Sequence, residues 1–225
     1  MQAGDRNGIS YSEFTKEDYD LALDLIVADF FTRDPVMSTA PGVRGAPENT
    51  RELARIYVDV GLPEALSVKA MDMENGPVMA GVLLNHISRK DEDPVRRELE
   101  RRREWIPEGV MEMMKVLFSS NSKTPDVFER YGVDEIAVLR ILNVRKEYEG
   151  RGIAKELIRL SLERFRVEGI KVVKVVTSNP ITAHIVQQLG FEQLSQMPVD
   201  DIKVHGKPYF LAEPDTIASW FTKRL

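Results

Sequence analysis

Glu149-Gly150-Arg151-Gly152-Ile153-Ala154-Lys155 separates two stretches of opposite period. Before it, Glu135 to Val144 is a near-continuous apolar run, the pattern of a buried strand. After it, Ala154, Leu157, Ile158, Ser161, Leu162 and Phe165 recur at helical spacing, so the glycines stand at a helix N-terminus. A turn of this kind gathers unpaired backbone N–H groups and the positive end of the helix dipole at one point, where phosphate is the natural ligand. Glycine at 150 and 152 removes side chains that would block close approach, and Arg151 and Lys155 add positive charge. The features converge on a pyrophosphate.

Downstream, Lys171 to Thr177 is a second apolar run and Ile181 to Leu189 a second helical one. Strand, helix, strand in that order implies a crossover joining parallel strands. Strand-like segments follow around Phe191 to Met197 and Lys207 to Ala212, joined by a loop with His205-Gly206. Upstream the order differs. Ile9 to Phe14 alternates, Thr15-Lys16-Glu17-Asp18 is a helix start, and Leu21, Leu25, Ile26 and Phe30 carry a helix that should end near Asp34-Pro35. A loop over 35–47 precedes a helix from Asn49 to Gly61. Two strands, Leu66 to Met73 and Val78 to Ser88, flank Asn75-Gly76, a hairpin signal that implies an antiparallel pair.

Between the strands ending at Ser88 and starting at Glu135 lies a helical insert, about 93–121. Its Arg96, Arg97, Arg101, Arg102 and Arg103 alternate with Glu98, Glu100 and Glu104, the mark of a solvated, ion-paired face. Met111, Met113, Met114, Val116, Leu117 and Phe118 give it an apolar end, either core or the wall of a substrate pocket.

The chain has 225 residues, 43% hydrophobic and 30% charged, enough for one substantial core, and we expect a single domain over 1–225. Its 31 basic and 36 acidic residues give a formal charge of −5, the wrong sign for wrapping nucleic acid. With no cysteine, a catalytic thiol and thiolate metal ligands are excluded. His86, His184 and His205 have no metal-ligand spacing, so no metal is expected. No apolar run is long enough to span a membrane and no signal segment is evident at the amino terminus, so a cytoplasmic protein without membrane partners is expected, a monomer or weak dimer.

Three known uses of a glycine turn compete. A P-loop ends in Gly-Lys-Ser/Thr, which Ile153-Ala154-Lys155-Glu156 does not supply. A dinucleotide fingerprint needs a third glycine or alanine where Lys155 stands, and it normally opens the first crossover of its domain. The third, Gln/Arg-x-x-Gly-x-Gly/Ala, is the acetyl-CoA motif of the GNAT acetyltransferases, and 149–154 resembles it except at Glu149. The resemblance implies an α/β fold of GNAT type, a mixed central sheet whose two parallel central strands splay apart, with flanking helices. It implies acetyl-CoA as co-substrate, with Leu142, Asn143 and Val144 beside its pantetheine arm and Gly150, Arg151, Gly152, Ile153, Ala154 and Lys155 at its phosphates.

Further segments resemble one branch, the insect arylalkylamine N-acetyltransferases, over about 14–210. Phe30-Phe31-Thr32-Arg33-Asp34-Pro35 is similar to that branch's Phe-Phe-x-x-Glu-Pro, whose glutamate is the proposed general base. Ser178 and Thr182 stand where the branch often has two serines four apart, and 197–210 resembles its tail, a glycine loop before a last strand. The resemblance implies Asp34 as base and Ser178 and Thr182 near the thiolate or the amine. Locally, Ser178 also has the place of a helix cap. Asp34, Thr182 and Glu149 depart from the branch's residues. Arg140 occupies one of the places where the vertebrate melatonin-pathway enzyme uses paired histidines, which disfavours that branch. The expected function is direct acetyl transfer to the primary amine of an arylalkylamine. Alternatives are a polyamine or other aliphatic amine acceptor, an acyl-CoA sensor that has lost catalysis, and a protein acetyltransferase.

Overall fold

A computed structural model describes residues 3–6, 8–74, 76–121 and 124–225. Eight strands form one sheet in the order β1 (Ala3–Arg6), β2 (Ile9–Glu13), β3 (Val68–Asp72), β4 (Val78–Arg89), β5 (Glu135–Val144), β6 (Val172–Thr177), β10 (Ile217–Arg224), β7 (Glu192–Pro198). Every neighbouring pair is antiparallel except β5 and β6. The hairpin expected between β3 and β4 is thus an antiparallel pair, although Asn75 of its signal lies outside the described residues.

Helices cover both faces. On one lie α1 (Tyr19–Leu25), α2 (Phe31–Arg33), α3 (Pro47–Gly61), α4 (Pro94–Arg101) and α5 (Glu108–Asn121), and a core built on Leu25, Ile56, Val82, Met113 and Trp220 fills the space below them. On the other lie α7 (Ile153–Val167) and α8 (Pro180–Gln188), with Leu157, Ile158, Phe165 and Val186 packed on Ala137, Leu139 and Val173. The short α6 (Val127–Tyr131) leads into β5, capped by the Asp126 carboxylate, which accepts the N–H groups of Phe128 and Glu129.

The element next to the amino-terminal strands is less regular than its periodicity suggests. Its first turn is a 3-10 segment in which the Asp18 carboxylate accepts both the N–H and the hydroxyl of Thr15. Between α1 and α2, Ile26–Phe30 widens to a π-helix, and the whole ends with Asp34 in extended conformation before Pro35. A wide turn of this kind shifts the facing of everything after it, here the segment that carries Phe30, Arg33 and Asp34.

Two expectations are corrected at the carboxyl end. Lys207–Pro208 (β9) does not begin a long strand; it pairs only with Lys203–Val204 (β8) around His205 and Gly206, both at positive φ. The last strand of the sheet is β10, which enters between β6 and β7 and places Trp220 and Phe221 on opposite faces.

Candidate active site

The parallel ladder between β5 and β6 covers only Ala137↔Val173, Val138↔Lys174 and Leu139↔Val175. Beyond Leu139, β5 stays with β4 while β6 stays with β10, and a cleft of about 720 Å³ opens between them. The separation begins at a β-bulge. Leu84 faces Ile141 and Asn85 faces Leu139, so Arg140 is the extra residue on β5. The bulge reverses the phase of the strand. Ala137 and Leu139 face the α7 side before it, and Leu142 and Val144 do so after it, which accounts for the apolar run without clean alternation.

The main chain of β5 alternates as well. Arg145 donates its N–H to the Ala80 carbonyl at 2.9 Å, so 143 and 145 pair toward β4, and Leu142 and Val144 turn their N–H and C=O groups toward the cleft. Asn143 is buried, and its side-chain amide donates to the Leu25 carbonyl at 3.3 Å, tying β5 to the start of the π-helix.

The glycine turn closes one end of the cleft. Gly150 and Gly152 have φ of +75° and +78°, values that an L side chain adopts only under strain. Gly152 is the N-cap of α7, and Glu156 makes the first helical bond, to its carbonyl. The N–H groups of 150–155 therefore have no acceptor among the described residues. Lys155 extends along the opening and donates to Gln188 at 3.1 Å, while Arg151 lies over the Tyr148 ring at 4.8 Å.

Arg33 anchors the other side. Its guanidinium pairs with Asp29 and Glu149 and donates to the Val144 carbonyl at 2.7 Å. Asp29 also accepts the Lys146 N–H at 3.2 Å. The neighbouring Asp34 lines the cleft. Its Oδ1 accepts the N–H groups of Val36 at 3.0 Å and Met37 at 2.8 Å, and Oδ2 has no partner among the described residues. Burial pushes the Asp34 carboxyl above its ordinary pKa, against the lowering effect of those two donors.

Across the cleft, Ser178 and Thr182 are half-buried and also line it. The cap of α8 is not Ser178, as local sequence suggested, but Asn179, whose Oδ1 accepts the N–H groups of Ile181 and Thr182. Proline at 180 presets the first helical turn, so the residue just before it takes the cap, and both hydroxyls are left without a capping bond. The apolar end of the insert divides. Met113 and Met114 are core, with the Met114 sulfur 3.6 Å from the Tyr57 hydroxyl, whereas Leu117, Phe118 and Asn121 reach the cleft. Phe30, Tyr57 and Trp220 extend this aromatic wall, and Trp220 donates to Asn121 at 2.7 Å.

Residues 126–191 match the acetyltransferase (GNAT) family model. An arylalkylamine N-acetyltransferase 2 from Aedes aegypti is 24% identical over 97% of this chain and 99% of its own, with a TM-score of 0.78. A mosquito arylalkylamine N-acetyltransferase like 5b (17% identity; 96% of this chain, 100% of that one) superimposes with a TM-score of 0.80. A Drosophila melanogaster polyamine N-acetyltransferase that forms N-acetylagmatine (16%; 96% and 100%) does so at 0.78. This is the GNAT acetyltransferase fold. The GNAT fold accounts for the splayed central pair and for a glycine turn opening the helix after the first of its strands. What the motif did not reveal is Arg33: it lies 116 residues from Glu149 in sequence, and only the folded chain brings the two together.

Proposed function

We propose that this protein is an acetyl-CoA-dependent N-acetyltransferase acting by direct transfer on the primary amine of an arylalkylamine. The observation that carries the proposal is the continuity of one cleft from the unpaired N–H groups of 150–155, past the main-chain groups that Leu142 and Val144 turn toward it, to the Asp34 carboxylate and an aromatic wall. The first part suits a pyrophosphate. The second suits an extended chain of amides laid along a strand edge, as in β-augmentation. The third suits an aromatic amine.

Acetyl-CoA supplies an activated thioester carbonyl, and no nucleophile from the protein is needed. Asp34 takes the ammonium proton of the acceptor, directly or through one water, once its own raised pKa is exceeded. The nitrogen lone pair then forms the new C–N bond as the C–S bond breaks. The hydroxyls of Ser178 and Thr182, not occupied by helix capping, are the candidates to donate to the departing sulfur.

A polyamine acceptor would bring two or more positive charges into a cleft whose charged lining is Arg33, Asp34, Arg140, Glu149 and Lys155. Glu149 is already paired with Arg33, which leaves Asp34 as the carboxylate available to a substrate. That balance favours an acceptor with one ammonium group and a ring. The test is release of free thiol from acetyl-CoA with phenethylamine, tyramine, dopamine and tryptamine against agmatine and spermidine. Higher kcat/KM for the aromatic group is expected. Preference for agmatine or spermidine would replace this acceptor class, and no turnover with any amine despite acetyl-CoA binding would favour a sensor.

A further inference from the structure

Of the three cations lining the cleft, Lys155 and Arg140 have no carboxylate partner among the described residues, and Arg140 is the one on the side of the aromatic wall. Arg33 is paired with Asp29 and Glu149, and Lys155 stands at the glycine turn with Gln188. The Arg140 guanidinium lies over the Tyr57 ring at 4.9 Å, and one of its nitrogens reaches the Tyr57 hydroxyl at 3.3 Å. A guanidinium carries five N–H donors in a planar fork, and the rest of this one has no acceptor among the described residues. The bulge at 140 fixes its direction, on the side of the sheet that carries Tyr57 and the insert.

Its neighbours in the sheet feel the positive charge without neutralising it. His86 and Lys174 lie on either side of Val138 in the same row of the sheet, one residue pair from the bulge. His86 is buried, its Nδ1 has no hydrogen-bond partner among the described residues, and burial followed by the Arg140 charge pushes its pKa down to about 3, so the ring is neutral. Burial and then the same charge lower Lys174. Asp93 acts on both in the opposite sense, and the contacts of Arg140 among the described residues are with Tyr57 and not with a carboxylate. A half-buried cation held in this way has lost hydration without gaining an ion pair, and an anion entering the cleft supplies one.

We infer that Arg140 binds a carboxylate on the acceptor, so that the preferred substrates are aromatic amino acids, arylalkylamines with a carboxylate on the carbon bearing the amine. Asp34 and Arg140 line one cleft with opposite charges, and the wall formed by Tyr57, Phe118 and Trp220 takes the ring. The planar fork receives the carboxylate through two parallel N–H bonds, a geometry that lysine does not reproduce. The inference rests on the acetyltransferase reading for its chemistry, but not for its binding.

Two measurements on the full chain separate them. Equilibrium binding of phenylalanine and phenethylamine, in the presence of CoA, is compared for the parent, Arg140→Gln and Arg140→Lys; kcat/KM for the same pair follows from thiol release. The parent is expected to favour phenylalanine in both, and Arg140→Gln to reduce the preference by about 10- to 100-fold, the range for a hydrogen bond to a charged group, with Arg140→Lys between them. Circular dichroism of each variant checks that the fold is kept. Equal or weaker binding of phenylalanine by the parent, or a preference unchanged in Arg140→Gln, overturns the role of Arg140. Carboxylate-dependent binding without acetyl transfer to either compound supports that role and overturns the enzymatic reading instead.

Discussion

Arg33 donates to the Val144 carbonyl at 2.7 Å across the free edge of β5, and the same guanidinium holds Glu149. The pair joins the segment that carries Asp34 to the turn that opens α7. It also neutralises the one acidic residue in a turn otherwise suited to phosphate.

Removing that neutralisation should weaken acetyl-CoA binding. Arg33→Gln leaves Glu149 uncompensated beside the phosphates, and about 3- to 10-fold weaker affinity is expected at low salt, shrinking as salt screens the partly exposed charges. Adding Glu149→Gln should restore affinity. Calorimetric titration of the two variants at two ionic strengths checks both statements; an unaltered affinity in Arg33→Gln removes the electrostatic role.

Asp34→Asn keeps an oxygen for the N–H groups of Val36 and Met37 but removes the base. We expect kcat to fall by about 10²- to 10⁴-fold with acetyl-CoA binding retained. Because burial raises this carboxyl, the acidic limb of the kcat/KM profile should lie above the ordinary carboxylate range and vanish in the variant. The stability linkage has the matching sign. A raised carboxyl binds its proton more tightly in the folded chain, so the stability it contributes is full below the unfolded-state pKa and lost as pH rises through the folded one. Relative to the parent, Asp34→Asn should therefore gain stability as pH rises from about 4 toward neutrality, as read from urea denaturation.

Asn179 and Ser178 should separate stability from catalysis. Asn179→Ala deletes the cap of α8 and is expected to lose about 1 kcal/mol of stability, whereas Ser178→Ala removes no capping bond and should lower kcat with little effect on the melting temperature. Thermal unfolding and thiol release distinguish the two; a larger stability loss in Ser178→Ala would return the cap to Ser178.

The insert offers a comparable pair. Met114→Ala opens a cavity in a packed core and should lower stability by about 2–5 kcal/mol, while Phe118→Ala, at the cleft wall, should change the ranking among aromatic acceptors more than it lowers stability. A Phe118→Ala variant with unchanged ranking would place that ring outside the acceptor site.

Much of this arrangement was legible before folding. The period changes on either side of 149–155 locate a strand, a turn and a helix, and β5 and α7 match them almost residue for residue. The bulge was hidden because the residues around Arg140 are apolar on both faces of β5, so a one-residue slip leaves no trace in hydropathy. β10 leaves no clear mark in the sequence because Trp220 and Phe221 face opposite cores, which blurs the alternation that marks a half-buried strand. The π-turn over Ile26–Phe30 keeps helical composition and shows only in the hydrogen bonds. The contacts of Arg33 with Glu149 and of Arg140 with Tyr57 join segments 116 and 83 residues apart, beyond any local pattern.

The central claim is that the turn at 150–155 holds the phosphates of acetyl-CoA, and its most direct test is calorimetric affinity in two matched variants. Gly152 and Gly45 have φ of +78° and +73°, and open space surrounds the Cβ position of each, so valine imposes similar backbone strain at both sites. Only Gly152 borders the cleft. Gly45→Val is expected to bind acetyl-CoA as the parent does and Gly152→Val to lose about 100-fold or more, equivalent to about 2.7 kcal/mol. Parent-like affinity in a folded Gly152→Val would contradict that claim.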